Sequence, residues 1–253
     1  MKPKPSVNIF WFRRDLRLDD NAGLYHALKS GKPVVPLFIF DSDILDELDA
    51  DATEKYKKDR RVEFIHSALL EMQQQLIKRN TTLDIRYGKP MDIFKEILRD
   101  YQVNEVFTNH DYEPYARQRD AAIQQFLETN GIIFNTYKDQ VLLEKNEVLK
   151  DDGKPYTIFT PYSRKWKATL TDFHLKPYAV RKYFTNFFPQ PERKIIALEQ
   201  MGFIATGLPF PGKEWKGQII RNYKEQRDIP SIQGTSRLSV HLRFGTISIR
   251  QLA

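Results

Sequence analysis

Five short strand signals punctuate residues 1–137, and two of the stretches between them repeat apolar positions at helical spacing. The signals are VNIFWF (7–12), VVPLFIF (34–40), LDIRYG (83–88), NEVFTN (104–109) and IIFNTY (132–137). The second is apolar at nearly every position, the pattern of a strand buried on both faces. Ile65, Leu69, Met72 and Leu76 predict one helix, and Phe94, Ile97, Leu98 and Tyr101 a second. A third is predicted over 115–129, closing at Asn130-Gly131, a helix stop. Asp20 or Asn21 can cap another that begins at Ala22. Strands alternating with helices predict an α/β fold, a doubly wound parallel five-stranded sheet of Rossmann-like kind. Ligands of such sheets sit beyond the carboxyl ends of the strands, near the point where strand order reverses. Neither GxGxxG nor GxxxxGK[ST] is present, so ordinary dinucleotide binding and a P-loop gain no support.

The pattern changes near residue 141. Pro155, Pro161, Pro177, Pro189, Pro191, Pro209 and Pro211 interrupt the next seventy or so residues, predicting a long connector of short helices wrapped over other parts. Residues 213–228 are helical in pattern again, and 237–253 open another helical region. The expected organisation is an α/β domain over 1–138, a connector over 139–212 and the start of a further helical domain over 213–253.

Charge separates the same halves. Residues 1–140 carry 21 Lys+Arg against 23 Asp+Glu, and residues 141–253 carry 19 against 10. A basic second half fits a polyanion partner, and equally a solvated basic surface. There is no cysteine, which removes disulfides and thiolate chemistry and makes a cytoplasmic location the default. No run is long and apolar enough to span a bilayer, and the basic N-terminus lacks the apolar stretch of a signal peptide. The five histidines have no metal-ligand spacing, and no nucleophile stands with a base. No metal and no catalytic residue are therefore predicted, as expected where a cofactor carries the chemistry.

Three strings remain. WFRRDLRLDDN (11–21) comes directly after the first strand, where opposite charges can pair and fix the loop. Tyr223-x-x-x-Arg227 precedes Thr235-Ser236-Arg237-Leu238-Ser239, whose hydroxyls at a helix start suit a phosphate or a plain helix cap. Phe159-Thr160-Pro161-Tyr162-Ser163-Arg164-Lys165-Trp166 interleaves aromatic and basic residues, and its aromatics are expected to pack.

Together these strings, in this order, resemble the first half of the DNA photolyase and cryptochrome family. Their wording is closest to the bacterial deoxyribodipyrimidine (cyclobutane-dimer) photolyases. The resemblance runs from Ile9 to Leu252 and covers an α/β domain, a connector and the truncated start of an all-helical FAD domain. It implies FAD contacts at Tyr223, Thr235, Ser236, Leu238 and Ser239, and a DNA-facing role for Arg227. It further implies an antenna chromophore, a deazaflavin or a folate, held by Asp41, Arg61, Asp111, Glu113 and Arg243. Arg243 stands where deazaflavin-using members usually have a lysine. The histidine that folate users place after the second strand is absent between residues 34 and 60. The implied activity is light-dependent repair of DNA containing pyrimidine dimers, in which reduced FAD donates an electron to the lesion. A monomer is expected for the intact protein, and this chain alone is expected to be inactive because the flavin domain is incomplete. The other readings are a cryptochrome blue-light receptor and a stand-alone α/β chromophore- or nucleotide-binding module.

Overall fold

The computed structural model describes residues 3–48 and 55–253. Five parallel strands form one sheet in the order β3-β2-β1-β4-β5. They are β1 (Ser6–Phe12), β2 (Val34–Asp41), β3 (Asp84–Gly88), β4 (Gln102–Asn109) and β5 (Ile133–Tyr137). Four longer helices connect them: α1 (Ala22–Lys29), α3 (Arg60–Ile77), α4 (Pro90–Asp100) and α5 (Pro114–Thr129). A short α2 (Ser42–Asp46) comes after β2 and has no counterpart in the sequence pattern. Five residues are too few to show helical periodicity, and the only mark of α2 is its cap, Asp41, which accepts from the Asp43 N–H at 3.1 Å.

The two-residue period of a strand sends alternate side chains to opposite faces. In β1 and β2, Phe10, Phe12, Phe38 and Phe40 enter one core with α1 and α3. Ile9, Trp11, Leu37 and Ile39 enter the other with α4 and α5. That double burial is why both strands read as near-continuous apolar runs. Pro36 is tolerated inside β2 for a positional reason. The Val34 carbonyl faces outward and accepts from the Phe188 N–H at 2.8 Å, so Pro36, two residues on, faces the same way. Pairing with β3 begins only at Leu37, so the missing donor at Pro36 breaks no ladder bond.

The chain beyond β5 folds back over the α1–α3 layer, where Val180, Phe187, Leu198, Met201, Phe203 and Phe244 complete its core. It contains six α-helices, all but the first of them short: α6 (Phe159–Thr169), α7 (Asp172–Leu175), α8 (Gly217–Arg221), α9 (Tyr223–Gln226), α10 (Ser239–Phe244) and α11 (Ile249–Leu252). The helix expected over 213–228 is thus two pieces, broken at Asn222. The aromatics of 159–166 depart from expectation. No residue of α6 is buried, Phe159 is 78% exposed, and of its aromatics only Trp166 is partly covered. No helix among the described residues is long and apolar enough to cross a membrane.

Candidate functional site

Strand order reverses between β1 and β4, and the loops leaving their carboxyl ends diverge there. Beside that point, over the ends of β1 and β2, lies a cavity of about 340 Å³. Its walls are apolar, with Phe38, Phe40, Leu45, Val62, Ile65 and Phe244 among them. All five residues predicted for an antenna chromophore line it: Asp41 at the end of β2, Arg61 on α3, Asp111 and Glu113 before α5, and Arg243 on α10. The structure therefore brings together residues up to 202 positions apart, as Asp41 and Arg243 are.

Their states differ. Asp41 is buried, accepts from the Tyr115 hydroxyl at 2.8 Å and lies 3.5 Å from Arg119. Arg61 is tied by two nitrogens to Asp59, the residue that caps α3, and its remaining N–H donors, free among the described residues, can meet a ligand. Glu113 accepts from Arg14 at 3.1 Å and from Arg243 at 3.0 Å, and Arg14 also lies 3.6 Å from Asp111. This ladder joins the loop after β1, the loop after β4 and α10 across one edge of the cavity. The hydrogen bonds from Arg14 and then Arg243 hold the Glu113 carboxyl below its ordinary range.

Sequence reasoning missed three of the residues that shape the cavity. Trp11 reads as an ordinary core position. The guanidinium groups of Arg13 and Arg119 lie 5.0 and 4.9 Å from its ring centre. Its indole N–H is buried and bonds no described residue, so one donor at this wall is unused among them. Tyr115 and Arg119 share a face of α5 at i, i+4 spacing in its first turns, and that spacing beside a strand end was the available signal. Size, apolar walls, an unused donor and a charged rim fit a flat, polar-edged organic molecule.

Burial pushes the Asp41 carboxyl above its ordinary range, against the opposing pull of Tyr115 and Arg119. A raised pKa in the folded state contributes stability that is full below the unfolded value and is lost as pH rises through the folded one. Asp41→Asn removes this contribution. The melting temperature of the variant relative to wild type is expected to climb as pH rises through the Asp41 transition, from just above the ordinary aspartate range. Thermal melts across a pH series read it, and a difference that is flat with pH contradicts it.

The loop of residues 13–21 works as a clasp. Asn21 caps α1 through the Leu24 N–H at 3.0 Å. Asp20 accepts from the Tyr178 backbone N–H and the Arg250 side chain, each at 2.8 Å, and from the Ser248 hydroxyl. Buried Arg17 bonds Asp139 at 2.7 Å and the Gly245 carbonyl at 3.1 Å. The charges of the string thus pair across the chain, not mainly with each other, and fasten the sheet to the connector and to the last helices.

The residues predicted for FAD lie elsewhere, on an open surface. Tyr223 is 46% exposed in α9, Thr235 and Ser239 are exposed, Ser236 is half-buried and Leu238 is buried. The two parts of this group are neighbours. A side chain at Gly234 would overlap the Gln226 carbonyl, so only glycine lets the loop come this close to α9. The helix-cap alternative does not hold, since α10 begins after Leu238 without a side-chain cap. The hydroxyls of Thr235, Ser236 and Ser239 bond no described residue, which leaves them free for a phosphate-bearing group. Arg227 lies 5.5 Å from the Tyr223 ring centre and 3.4 Å from Asp228, with its guanidinium half-exposed.

Residues 8–181 match the sequence profile of the DNA photolyase family. The deoxyribodipyrimidine photo-lyase of Synechococcus sp. (strain PCC 6301) is 32% identical over 96% of this chain and 52% of its own length. This chain thus spans about half of that relative. An uncharacterized 31.6 kDa protein of Synechococcus sp. (strain PCC 6716) is 31% identical over 96% of this chain and 87% of its own length. Among solved structures, an archaeal photolyase from Sulfolobus tokodaii with two FAD molecules matches at 26% identity and a TM-score of 0.66. That match covers 97% of this chain and 53% of the other.

Proposed function

The chain belongs to the DNA photolyase family, and from that premise we propose that it is the antenna-holding half of a light-driven DNA repair flavoprotein. One observation carries the reading: Asp41, Arg61, Asp111, Glu113 and Arg243, drawn from four separate segments, converge on one apolar-walled cavity at the strand ends. Such a cavity shields a planar chromophore from water, while the rim charges fix its orientation. A deazaflavin is the favoured occupant, with folate the alternative, and the positive charge of Arg243 faces either.

The second cofactor of the reading is FAD. Reduced FAD, when bound and excited by light, supplies the electron that splits a cyclobutane pyrimidine dimer in DNA. The contribution of this chain is to bind and orient it. Thr235, Ser236 and Ser239 offer hydroxyls to its phosphates, Tyr223 offers a ring face and Leu238 an apolar support. Arg227 is proposed to meet a DNA phosphate, a role that its half-exposed guanidinium beside Tyr223 supports. These groups form an open surface, so this chain alone holds the flavin from one side only and does not enclose the lesion.

The expected result with dimer-containing oligonucleotide, FAD and light is that this chain alone gives no repair. Repair is expected once a polypeptide matching the second half of the longer relatives is supplied. Repair by this chain by itself overturns the half-site reading. Light-driven flavin reduction in the completed protein without repair favours a blue-light receptor.

A further inference from the structure

A second cavity, of about 360 Å³, lies between α1, the chain just after β5 and the connector around α7. It shares no lining residue with the crevice at the strand ends. Every ionisable side chain lining it that carries charge is basic, and no carboxylate lines it among the described residues. Two of those cations are already matched: Lys138 binds Glu147 at 2.7 Å, and Arg250 binds Asp20 and Asp139. Lys176 and Lys182 are not. Both are exposed, and neither makes an ion pair or side-chain hydrogen bond with a described residue.

The wall has a further polar group. The Thr171 backbone N–H donates to Nδ1 of His174 at 3.1 Å, which places the neutral ring's proton on Nε2. That nitrogen has no partner among the described residues and is a free donor. Aromatic rings make up the other side. Tyr25 and Tyr178 stand 5.3 Å apart, and Phe173 is 81% exposed, a large ring left in water at the cavity edge.

We propose that this cavity is a binding site for a nucleoside phosphate. The base lies against Phe173 and the tyrosine rings, and the phosphate meets Lys176, Lys182 and the Nε2 proton of His174. Two exposed, unmatched lysines select an anion even with the Glu147 carboxylate near His174, and an exposed ring beside them selects a flat apolar body attached to it. The volume suits one such unit, since small-molecule pockets begin at about 300 Å³. The same chemistry is offered by a free mononucleotide and by one unit of a single-stranded nucleic acid. The site stands independently of the antenna reading, because the two cavities share no residue.

Calorimetric titration of the full chain with adenosine monophosphate, inorganic phosphate and a short oligothymidylate tests the proposal. Adenosine monophosphate is expected to bind with a Kd below about 1 mM, at least about tenfold tighter than inorganic phosphate. Lys176→Glu with Lys182→Glu is expected to weaken it at least about tenfold and to lessen its salt dependence. Phe173→Ala is expected to bring the nucleotide down toward the affinity of phosphate alone. All three side chains are exposed, so unchanged melting curves will show that the variants fold. Tighter binding of the oligonucleotide than of the mononucleotide assigns the site to a nucleic-acid strand, and the reverse assigns it to a free nucleotide. The proposal is overturned if nucleotide binds no better than phosphate, or if the lysine variant binds as wild type does.

Discussion

Replacing Asp139 with alanine is expected to cost about 3–5 kcal/mol of folding stability, the range for breaking a buried ion pair from one side. The Asp139 carboxylate is wholly buried and serves three donors: Arg17 at 2.7 Å, Arg250 at 2.8 Å and the Ala22 backbone N–H at 3.0 Å. Both guanidinium groups are almost entirely out of water, at 9% and 6% side-chain exposure. Removing the carboxylate leaves Arg17 without a charged partner and Arg250 with Asp20 alone. A domain is typically stable by about 5–15 kcal/mol, so the loss is a large share of the whole. Because the same cluster joins the sheet to Ser248 and Arg250, the last helices are expected to detach before the sheet unfolds. Urea unfolding followed by circular dichroism reads both effects. Asp139→Asn, which keeps an acceptor and loses the charge, should fall between wild type and Asp139→Ala. A cost below about 1 kcal/mol for the alanine variant, the level of an exposed pair, contradicts the clasp.

Gly245→Ala is the second large effect. Gly245 ends α10 with φ +62°, a left-handed conformation that side chains rarely adopt. An added Cβ would overlap the Arg14 carbonyl oxygen and meet the Asp15 Cα at 2.6 Å, both backbone atoms with no free rotation to escape by. The close approach is also bonded, since the Leu16 N–H donates to the Phe244 carbonyl at 3.0 Å. Strain of this kind costs about 1–3 kcal/mol before the overlap is relieved, and relief means lifting α10 from the loop after β1. Arg243 and Phe244 then leave the wall of the crevice. The expected outcome is a lower melting temperature together with at least about tenfold weaker chromophore binding, or about 1.4 kcal/mol. Wild-type chromophore affinity in Gly245→Ala would show that α10 does not close the site.

The sheet was legible because β1 and β2 are contiguous apolar runs and the helices between strands carry apolar spacing, a cap or a stop signal. β1 and β2 read most clearly because both of their faces are buried, and α5 because Asn130-Gly131 stops it. What was not legible depends on partners distant in sequence. The string 13–21 announces charge pairing, but Asp120, Asp139, Arg181 and Arg250 lie about a hundred residues or more away, and no local pattern names them. The aromatic spacing of α6 suggests packing, yet amphipathicity says only that a face is apolar and not that anything covers it. In the crevice, Asp41, Asp111 and Glu113 were legible from their place at strand ends. Arg61 was legible from its place at the start of the helix after β2, Arg243 came through resemblance, and Trp11, Tyr115 and Arg119 were hidden because each has an ordinary structural reading as well.

The most direct measurement is the visible absorbance spectrum of the purified chain after incubation with a deazaflavin, a folate or FAD and removal of the free compound. It is made beside the same measurement on Ile44→Trp, a bulky replacement at a half-exposed residue of the crevice wall. Retention of a deazaflavin or folate band by the wild-type chain, lost in Ile44→Trp, with little FAD kept by either, is the predicted result. A wild-type chain that keeps no chromophore, or a band that survives the blocked crevice undiminished, contradicts the account.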